Sequence, residues 1–170
     1  MKLPAVRPAQ AGDVEVLMRL RLAYFESQLA LGLLDGLNDL GSHIRSATPS
    51  LLTSSRTRVV IAERDTDITG YAIASFRIVP GARQPSVCSI DEVFVPPVCR
   101  GIGLARQLVA SLLEEAALRK ADRIQMRVLS SNQKARALWE QLGFVENVII
   151  LEYAGSVPKQ DNETIRRGEQ

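Results

Sequence analysis

A strand-like segment that runs through a basic, glycine-bearing turn into an amphipathic helix constrains this chain more than any other feature. The segment 89–95 is β-branched and aromatic, and Pro96 and Pro97 end it because proline has no backbone N–H to donate. Beyond the turn, apolar residues recur at helical spacing as Leu104, Leu108, Leu112 and Ala116. The glycines of the turn, Gly101 and Gly103, are therefore predicted to lie at a helix N-terminus.

A helix N-terminus of this kind is suited to phosphate. Its first amides have no intrahelical acceptor, and the helix macrodipole is positive there. Glycine lets the backbone approach a phosphate closely, and Arg100 and Arg106 add positive side-chain charge. The turn is consequently predicted to bind a pyrophosphate. A plain glycine kink between a strand and a helix is the alternative that these residues alone leave open.

Two better-known phosphate loops fit the turn less well. A P-loop ends in Gly-Lys-Ser/Thr to reach the terminal phosphates and Mg²⁺, and the corresponding positions here are apolar or arginine. The dinucleotide-binding fingerprint needs a third glycine and an acidic residue after the next strand, but the strand 123–128 is basic and leads into Leu129 and Ser130. A nucleotide-binding module that uses the same turn for another pyrophosphate remains a rival.

A second motif lies further along the chain. Asn132 is predicted to cap a helix, because asparagine side chains accept hydrogen bonds from the first free amides of a helix. The apolar residues of this helix share one face: Ala135, Leu138, Trp139 and Leu142. Gly143 is placed to end the helix in the left-handed conformation.

The turn and the Asn-capped helix together carry a resemblance to a known family. Arg100-Gly101-Ile102-Gly103-Leu104-Ala105 fits the R/Q-x-x-G-x-G/A acyl-CoA signature, and the segment 90–144 resembles the core of the GCN5-related N-acetyltransferase (GNAT) superfamily. The resemblance implies acetyl-CoA as acyl donor, no metal, and a cofactor site made of Val93, Phe94, Val95, Arg100, Gly101, Ile102, Gly103, Leu104, Ala105, Arg106 and Asn132. In the family, the pantetheine arm pairs with the strand edge matching 93–95 and contacts the residue matching Asn132.

The pattern along the chain predicts the element order β-α-α-β-β-β-α-β-α-β. This is a mixed α/β sheet with helices on both faces, and the resemblance makes the sheet mostly antiparallel. Asp13 is predicted to cap the first helix, and the second helix spans 40–52. The strands 58–64 and 69–78 form a hairpin before the strand 86–95.

The domain prediction is a single unit. Residues 1–153 form one GNAT-like domain, and the polar residues 154–170 are expected to be a mobile tail. The chain after Phe144 is short for the family's closing hairpin. The last strand, 148–153, is therefore either lost or supplied by a partner chain, which would make the protein a homodimer.

The resemblance implies transfer of an acetyl group to a primary amine, of a small molecule or a protein, by direct attack in a ternary complex. An amine is mostly protonated at neutral pH, so the chain needs a proton acceptor. Asp91 and Glu92 are the candidates: strand alternation is expected to leave only one facing the cleft, and polyamine acetyltransferases have their base at the position of Asp91. Trp139 replaces the family's thiolate-protonating tyrosine and cannot act as an acid, which leaves water or another group such as Tyr153 as the candidates.

The acceptor substrate is the least determined feature. In the family the acceptor site is shaped by the first two helices and their connection, which here means Tyr24, Phe25, Glu26 and the loop 31–38. None of these carries a diagnostic charge cluster, so the kind of amine stays open. The missing tyrosine also favours a rival from another class, a non-catalytic acyl-CoA-binding regulatory module.

Composition narrows the remaining classes of function. A net charge of +2 over 170 residues argues against a dedicated nucleic-acid surface or a polybasic membrane anchor. The sequence has no long apolar span, so no membrane helix is predicted. Cys88 and Cys99 lack metal-ligand spacing and a nearby activating base, so they are predicted to be reduced thiols of a cytoplasmic protein and not nucleophiles. His43 is the only histidine, which excludes a multi-histidine zinc site.

Overall fold

The computed structural model describes residues 4–32 and 39–149. Its strands are β1 (Ala5–Pro8), β2 (Thr57–Arg64), β3 (Asp67–Ile78), β4 (Ser86–Phe94) and β5 (Arg123–Met126). Its helices are α1 (Val14–Leu29), α2 (Leu40–Thr53), α3 (Leu104–Leu118) and α4 (Gln133–Gln141). The five strands form one sheet in sequence order, in which β4 and β5 are parallel and all other neighbours are antiparallel. The predicted mixed, mostly antiparallel α/β fold is confirmed.

The helices cover both faces of the sheet and bury one apolar cluster on each. On one face, Leu104, Leu108 and Leu112 of α3 are at most 2% exposed and pack against the sheet, as their helical spacing predicts. On the other face, Leu17 of α1 packs with Tyr71 of β3, and both are fully buried. The sheet is therefore the middle layer, and its strands alternate side chains between the two clusters.

A β-bulge interrupts the pairing of β3 with β4. Ile73 pairs with Glu92, but the next residue, Ala74, pairs with Ile90, so Asp91 is the extra residue of the bulge. An extra residue shifts the period-two alternation of the strand beyond it. Ile90 accordingly packs in the apolar cluster between α3 and the sheet, called the α3 cluster below, whereas Glu92 faces α1 on the other side of the sheet.

The predicted boundaries agree closely with the observed helices and strands, and the hairpin turns at Asp65, which has φ +59°. Asp13 is the N-cap residue of α1, as predicted, but its side chain makes no capping bond. Its carboxylate accepts hydrogen bonds from Gln10 N at 2.7 Å and from Arg7 at 2.8 Å and 3.0 Å instead. The reason is that a guanidinium beside the carboxylate makes a stronger, charge-assisted pair than the helix amides would.

The end of the chain is only partly described. The predicted tail 154–170 and most of the predicted last strand, 148–153, lie outside the described residues. Val148 and Ile149, which are described, do not belong to a strand.

Candidate functional site

The turn between β4 and α3 exposes a row of backbone amides. In the described chain, no acceptor lies within hydrogen-bond reach of the N–H groups of 101–106, and the first helical bond runs from Gln107 N to Gly103 O at 3.2 Å. Gly101 and Gly103 have φ of +86° and +78°, left-handed conformations in which successive amides form an anion-binding nest. Together with the positive end of the α3 macrodipole, these amides make the turn suitable for a phosphate.

The space beside the turn is open to a ligand. A Cβ atom built at Gly101 or Gly103 would meet no heavy atom within 4 Å. The side chains of Ile102, Leu104 and Ala105 pack into or against the α3 cluster. These three predicted cofactor residues can therefore offer their backbone amides to a ligand, while their side chains hold the turn on the core.

Two arginines flank the turn, and each makes a contact within the protein. Arg100 Nε donates to Val95 O at 2.8 Å and ties the turn to the end of β4. Arg106 Nη2 donates to Oε1 of Gln141 on α4. The carbonyl of Val95, predicted to face the pantetheine arm, already accepts one hydrogen bond from Arg100.

The strands β4 and β5 separate at the bulge. Their parallel pairing begins at Val87 with Arg123 and stops at Ile90 with Met126. Beyond that point, the edge of 91–94 that faces β5 has no strand partner within the described residues. The cleft holds a cavity of about 390 Å³, part of which is open solvent. An unpaired strand edge beside a cleft is suited to an extended ligand that adds to the sheet through its amides.

The cavity brings together residues from both predicted motifs and from the first helix. Residues of its lining include Tyr24, Asp91, Glu92, Val93, Asn132 and Trp139. Both Asp91 and Glu92 line it, and the bulge changes the strand alternation from which a single cleft-facing carboxylate was expected. Phe25 and Glu26, predicted together with Tyr24, are not among the lining residues.

Glu92 is held in a buried ion pair. Arg21 Nη2 donates to its Oε1 at 2.6 Å, and Arg21 Nε donates to its Oε2 at 3.0 Å. The Tyr71 hydroxyl donates to Oε2 at 2.8 Å, and Arg21 Nη1 donates to Thr48 Oγ1 at 2.9 Å. Both oxygens of Glu92 are thus occupied by donors of the protein, and its charge is paired with Arg21. Glu92 therefore links α1, α2 and the sheet.

Sequence reasoning missed this network. One signal was present, since Arg21 falls four residues after Leu17 on the apolar face of α1, where a charged residue implies a buried partner. Nothing in the sequence indicated that the partner would be Glu92, which lies 71 residues away.

Tyr24 presents a hydroxyl to the cavity. Its ring makes edge contacts with Phe25 and Phe94 at centroid distances of 5.1 Å and 6.2 Å. The hydroxyl has no hydrogen-bond partner among the described residues. Burial, followed by the nearby charges of Glu92 and Asp91, raises the pKa of Tyr24 to about 12. The phenol is therefore neutral, and its proton is available for a hydrogen bond.

The start of α4 has the predicted form. Asn132 Oδ1 accepts a hydrogen bond from Ala135 N at 3.1 Å, which confirms the cap, and Gly143 follows the helix with φ +88°. Trp139 is 7% exposed, lines the cavity and makes an edge contact with Phe144 at a centroid distance of 5.1 Å. The indole thus occupies the wall of the cavity on the α4 side.

Tyr153 and residues 33–38 of the predicted acceptor loop lie outside the described residues. The two cysteines are described and are not among the residues that line the cavity. Cys88 is buried, and burial, followed by the charge of Asp91, raises the pKa of its thiol to about 11, which suppresses its nucleophilicity.

Within the described ranges, no three His, Cys, Asp or Glu side chains lie close enough together to hold a metal ion. The described helices include none long and apolar enough to cross a membrane.

The fold and the site define a class of protein: a mixed sheet whose parallel strands part at a bulge, with a glycine-bearing turn of unpaired amides at the next helix. The model of the Acetyltransferase (GNAT) family matches residues 24–144, which is more than half of the chain. The protein belongs to the GNAT acetyltransferase family. No curated protein sequence matches the chain.

Solved structures share the fold at low sequence identity. Aminoglycoside N-acetyltransferase AAC(6')-Iy in complex with CoA is 20% identical, with a TM-score of 0.74 over 90% of this chain and 95% of that one. A transcriptional regulator from Bacillus halodurans is 21% identical, with a TM-score of 0.73 over 89% and 99% of the two chains. A predicted acetyltransferase from Clostridium acetobutylicum, solved with acetyl-CoA, is 20% identical, with a TM-score of 0.72 over 88% and 94%.

Proposed function

We propose that this protein transfers an acetyl group from acetyl-CoA to a primary amine by direct attack in a ternary complex. The observation that carries the proposal is the row of unpaired amides 101–106 at the N-terminus of α3, beside the cleft between β4 and β5. Acetyl-CoA supplies the acetyl group as a thioester. The names of two structural neighbours, solved with CoA and with acetyl-CoA, support this choice of donor.

The residues of the cleft divide the binding of acetyl-CoA among them. The amides 101–106 would hold the pyrophosphate, with positive charge from Arg100 and Arg106 nearby. The backbone of Val93 and Phe94, on the unpaired edge of β4, would pair with the amides of the pantetheine arm. Asn132 caps α4 through Oδ1, which leaves its side-chain N–H₂ group to donate to the arm. This arrangement would bring the thioester to the bulge.

Asp91 is the proposed proton acceptor. It is exposed, it is the extra residue of the bulge, and it lines the cavity. Glu92 lines the same cavity, but Arg21 and Tyr71 already bind both of its oxygens. An amine becomes a nucleophile only after it loses its proton, so a free carboxylate at this place supplies what the reaction needs.

Acetyl-CoA binding is the first test, and isothermal titration calorimetry measures it. Gly103→Asp places a carboxylate against the proposed pyrophosphate site, and like charges so close cost several kcal/mol. We expect the affinity to fall by about a hundredfold or more, at about 1.4 kcal/mol per tenfold. Gly81→Asp is the matched control, because Gly81 has φ +77° against +78° at Gly103, and a Cβ atom at either position meets nothing within 4 Å.

The outcomes of the titration separate the proposal from its rivals. Equal loss of affinity in both glycine variants would show a general effect of strain and remove the support for the turn as the phosphate site. Binding of ADP-ribose in competition, without competition by desulfo-CoA, would favour the nucleotide-binding rival. No binding of acetyl-CoA or CoA to the wild-type protein would refute the proposed function.

Turnover is the second test. Thiol release from acetyl-CoA is followed across a panel of primary amines, with small cationic amines first. We expect Asp91→Asn to lower kcat by roughly a hundredfold or more, the usual range for a positioned proton acceptor, with unchanged affinity for acetyl-CoA. An unchanged kcat in Asp91→Asn would show that another group accepts the proton.

A non-catalytic acyl-CoA-binding module is the second candidate function. One observation favours it: the α4 wall of the cavity carries Trp139, and an indole N–H cannot serve as a proton acid. Tight binding of acetyl-CoA without thiol release for any amine of the panel would support this module over the transferase.

A further inference from the structure

The donors that face the reacting end of the cleft determine how the leaving sulfur is stabilised. During transfer, the C–N bond forms and the C–S bond breaks, with its electron pair moving to sulfur. The amine proton passes to Asp91 and returns through water to the sulfur, so the step balances without another acid. What the protein still has to supply is a hydrogen-bond donor for the negative charge that grows on sulfur.

Tyr24 meets this requirement on three structural grounds. It lines the same cavity as Asp91 and Trp139, on the wall formed by α1. Its hydroxyl has no partner in the described chain, so the hydrogen is not already in use. Its ring is held by edge contacts with Phe25 and Phe94, which limit its rotation.

We propose, on the basis of the proposed transferase function, that the Tyr24 hydroxyl donates a hydrogen bond to the thioester sulfur and stabilises the leaving thiolate while keeping its own proton. Tyr24 thus belongs to the part of the site that binds acetyl-CoA. The sequence had predicted it in the part that binds the amine. The α1 phenol compensates for the absence of a phenol at Trp139 on α4.

The acidity of the phenol decides between donating a hydrogen bond and donating a proton. The pKa of Tyr24 is raised to about 12 by burial and then by Glu92 and Asp91. A thiol as acidic as that of cysteine has a pKa of ~8.5, so complete transfer of the proton from the phenol to such a thiolate is unfavourable by roughly 3.5 pKa units, or more than a thousandfold. A hydrogen bond carries no such penalty, and the neutral phenol can donate it throughout the physiological pH range.

Ionisation of bound CoA tests the inference without any turnover. A donor that binds the thiolate form lowers the pKa of the thiol. The thiolate of bound CoA is titrated by its ultraviolet absorbance in the wild-type protein, in Tyr24→Phe and in Tyr71→Phe, with the desulfo-CoA complex of each protein as the blank. We expect the thiol pKa to be higher in Tyr24→Phe by about one unit, the scale of one hydrogen bond to a charged group. It should be unchanged in Tyr71→Phe, because Tyr71 is not among the residues that line the cavity.

The two tyrosine variants are a matched pair, since each loses only a hydroxyl. Kinetics on the best amine should show a kcat lowered by roughly ten- to a hundredfold in Tyr24→Phe, with no change in the KM for acetyl-CoA. An unfolding temperature of Tyr24→Phe close to the wild-type value would exclude a general structural effect, because the ring contacts with Phe25 and Phe94 are retained.

Four outcomes are decisive. An unchanged thiol pKa in Tyr24→Phe overturns the inference, and so does an equal shift in Tyr71→Phe. A shift in Tyr24→Phe without turnover of any amine places the hydroxyl at the sulfur of bound CoA but supports the acyl-CoA-binding module over the transferase. Failure of the wild-type protein to bind CoA refutes both.

Discussion

Glu92→Gln is predicted to destabilise the fold far more than its chemistry alone suggests. The substitution removes the counter-charge of Arg21, which is 4% exposed and makes bonds of 2.6 Å and 3.0 Å to the two Glu92 oxygens. Breaking a buried ion pair in this way costs about 3–5 kcal/mol, because the remaining charge stays buried without compensation. The glutamine oxygen can still accept from Tyr71, so the loss falls mainly on Arg21.

This loss is large relative to the whole stability of the protein. Domains are stable by about 5–15 kcal/mol, so Glu92→Gln removes a substantial fraction of the total. For a chain of this length each kcal/mol lowers the unfolding temperature by about 2–4 °C, which gives a decrease of roughly 6–20 °C. Asp91→Asn is the control, because Asp91 is exposed and surface substitutions usually change stability by less than about 0.5 kcal/mol.

Urea denaturation followed by circular dichroism measures the free energy of unfolding. Arg21→Met, alone and combined with Glu92→Gln, completes a double-mutant cycle. We expect the double variant to lose much less than the sum of the single losses, since the second substitution removes the charge that the first leaves unpaired. Additive losses, or a loss below about 1 kcal/mol in Glu92→Gln, would refute the buried-pair reasoning.

The remaining predictions concern other parts of the fold. The hydrogen bonds from Arg7 are the main cause of a lowered pKa at Asp13, so the ionised carboxylate stabilises the fold. This stabilisation is fully present above the ordinary pKa of an aspartate and is lost as pH falls through the lowered value. The unfolding temperature of Asp13→Asn should therefore fall less steeply at acidic pH than that of the wild-type protein. An equally steep fall would contradict this prediction. Gly70→Ala should destabilise by about 1–3 kcal/mol in urea, because a Cβ there meets Phe94 O at 3.0 Å. Cys99 is half-buried, whereas Cys88 is buried and has a thiol pKa of about 11. A disulfide reagent at neutral pH should therefore modify Cys99 much faster than Cys88. Equal rates of modification would contradict the buried position of Cys88.

Much of the site could be predicted because its parts are local. The turn at 101–106, the apolar face of α3 and the Asn132 cap each depend on residues that are neighbours along the chain. Glycines that must adopt positive φ, prolines that end a strand and a polar residue that starts a helix are visible as residue types. The structure agrees with the prediction in each of these places.

The errors arose where contacts span long distances in sequence. A period-two pattern does not reveal that one residue is skipped, so the bulge at Asp91 and its consequence for Glu92 could not be read from alternation. The Arg7 guanidinium similarly takes the carboxylate of Asp13 away from the helix. In both cases a partner from another element outweighs the local preference.

The sequence by itself determined the family, the glycine-bearing turn before α3 and the order of the helices and strands, because these depend on local conformational preference and hydrophobic spacing. Only the tertiary structure decided which carboxylate is free. Arg21 of α1 and Tyr71 of the sheet bind the Glu92 carboxylate, and Thr48 of α2 accepts a hydrogen bond from Arg21, so the charge of Glu92 is paired and fixed in place. The bulge leaves Asp91 exposed in the cavity that Tyr24 also lines. Burial and charge pairing are properties of packed neighbours, and the packing exists only once distant segments meet.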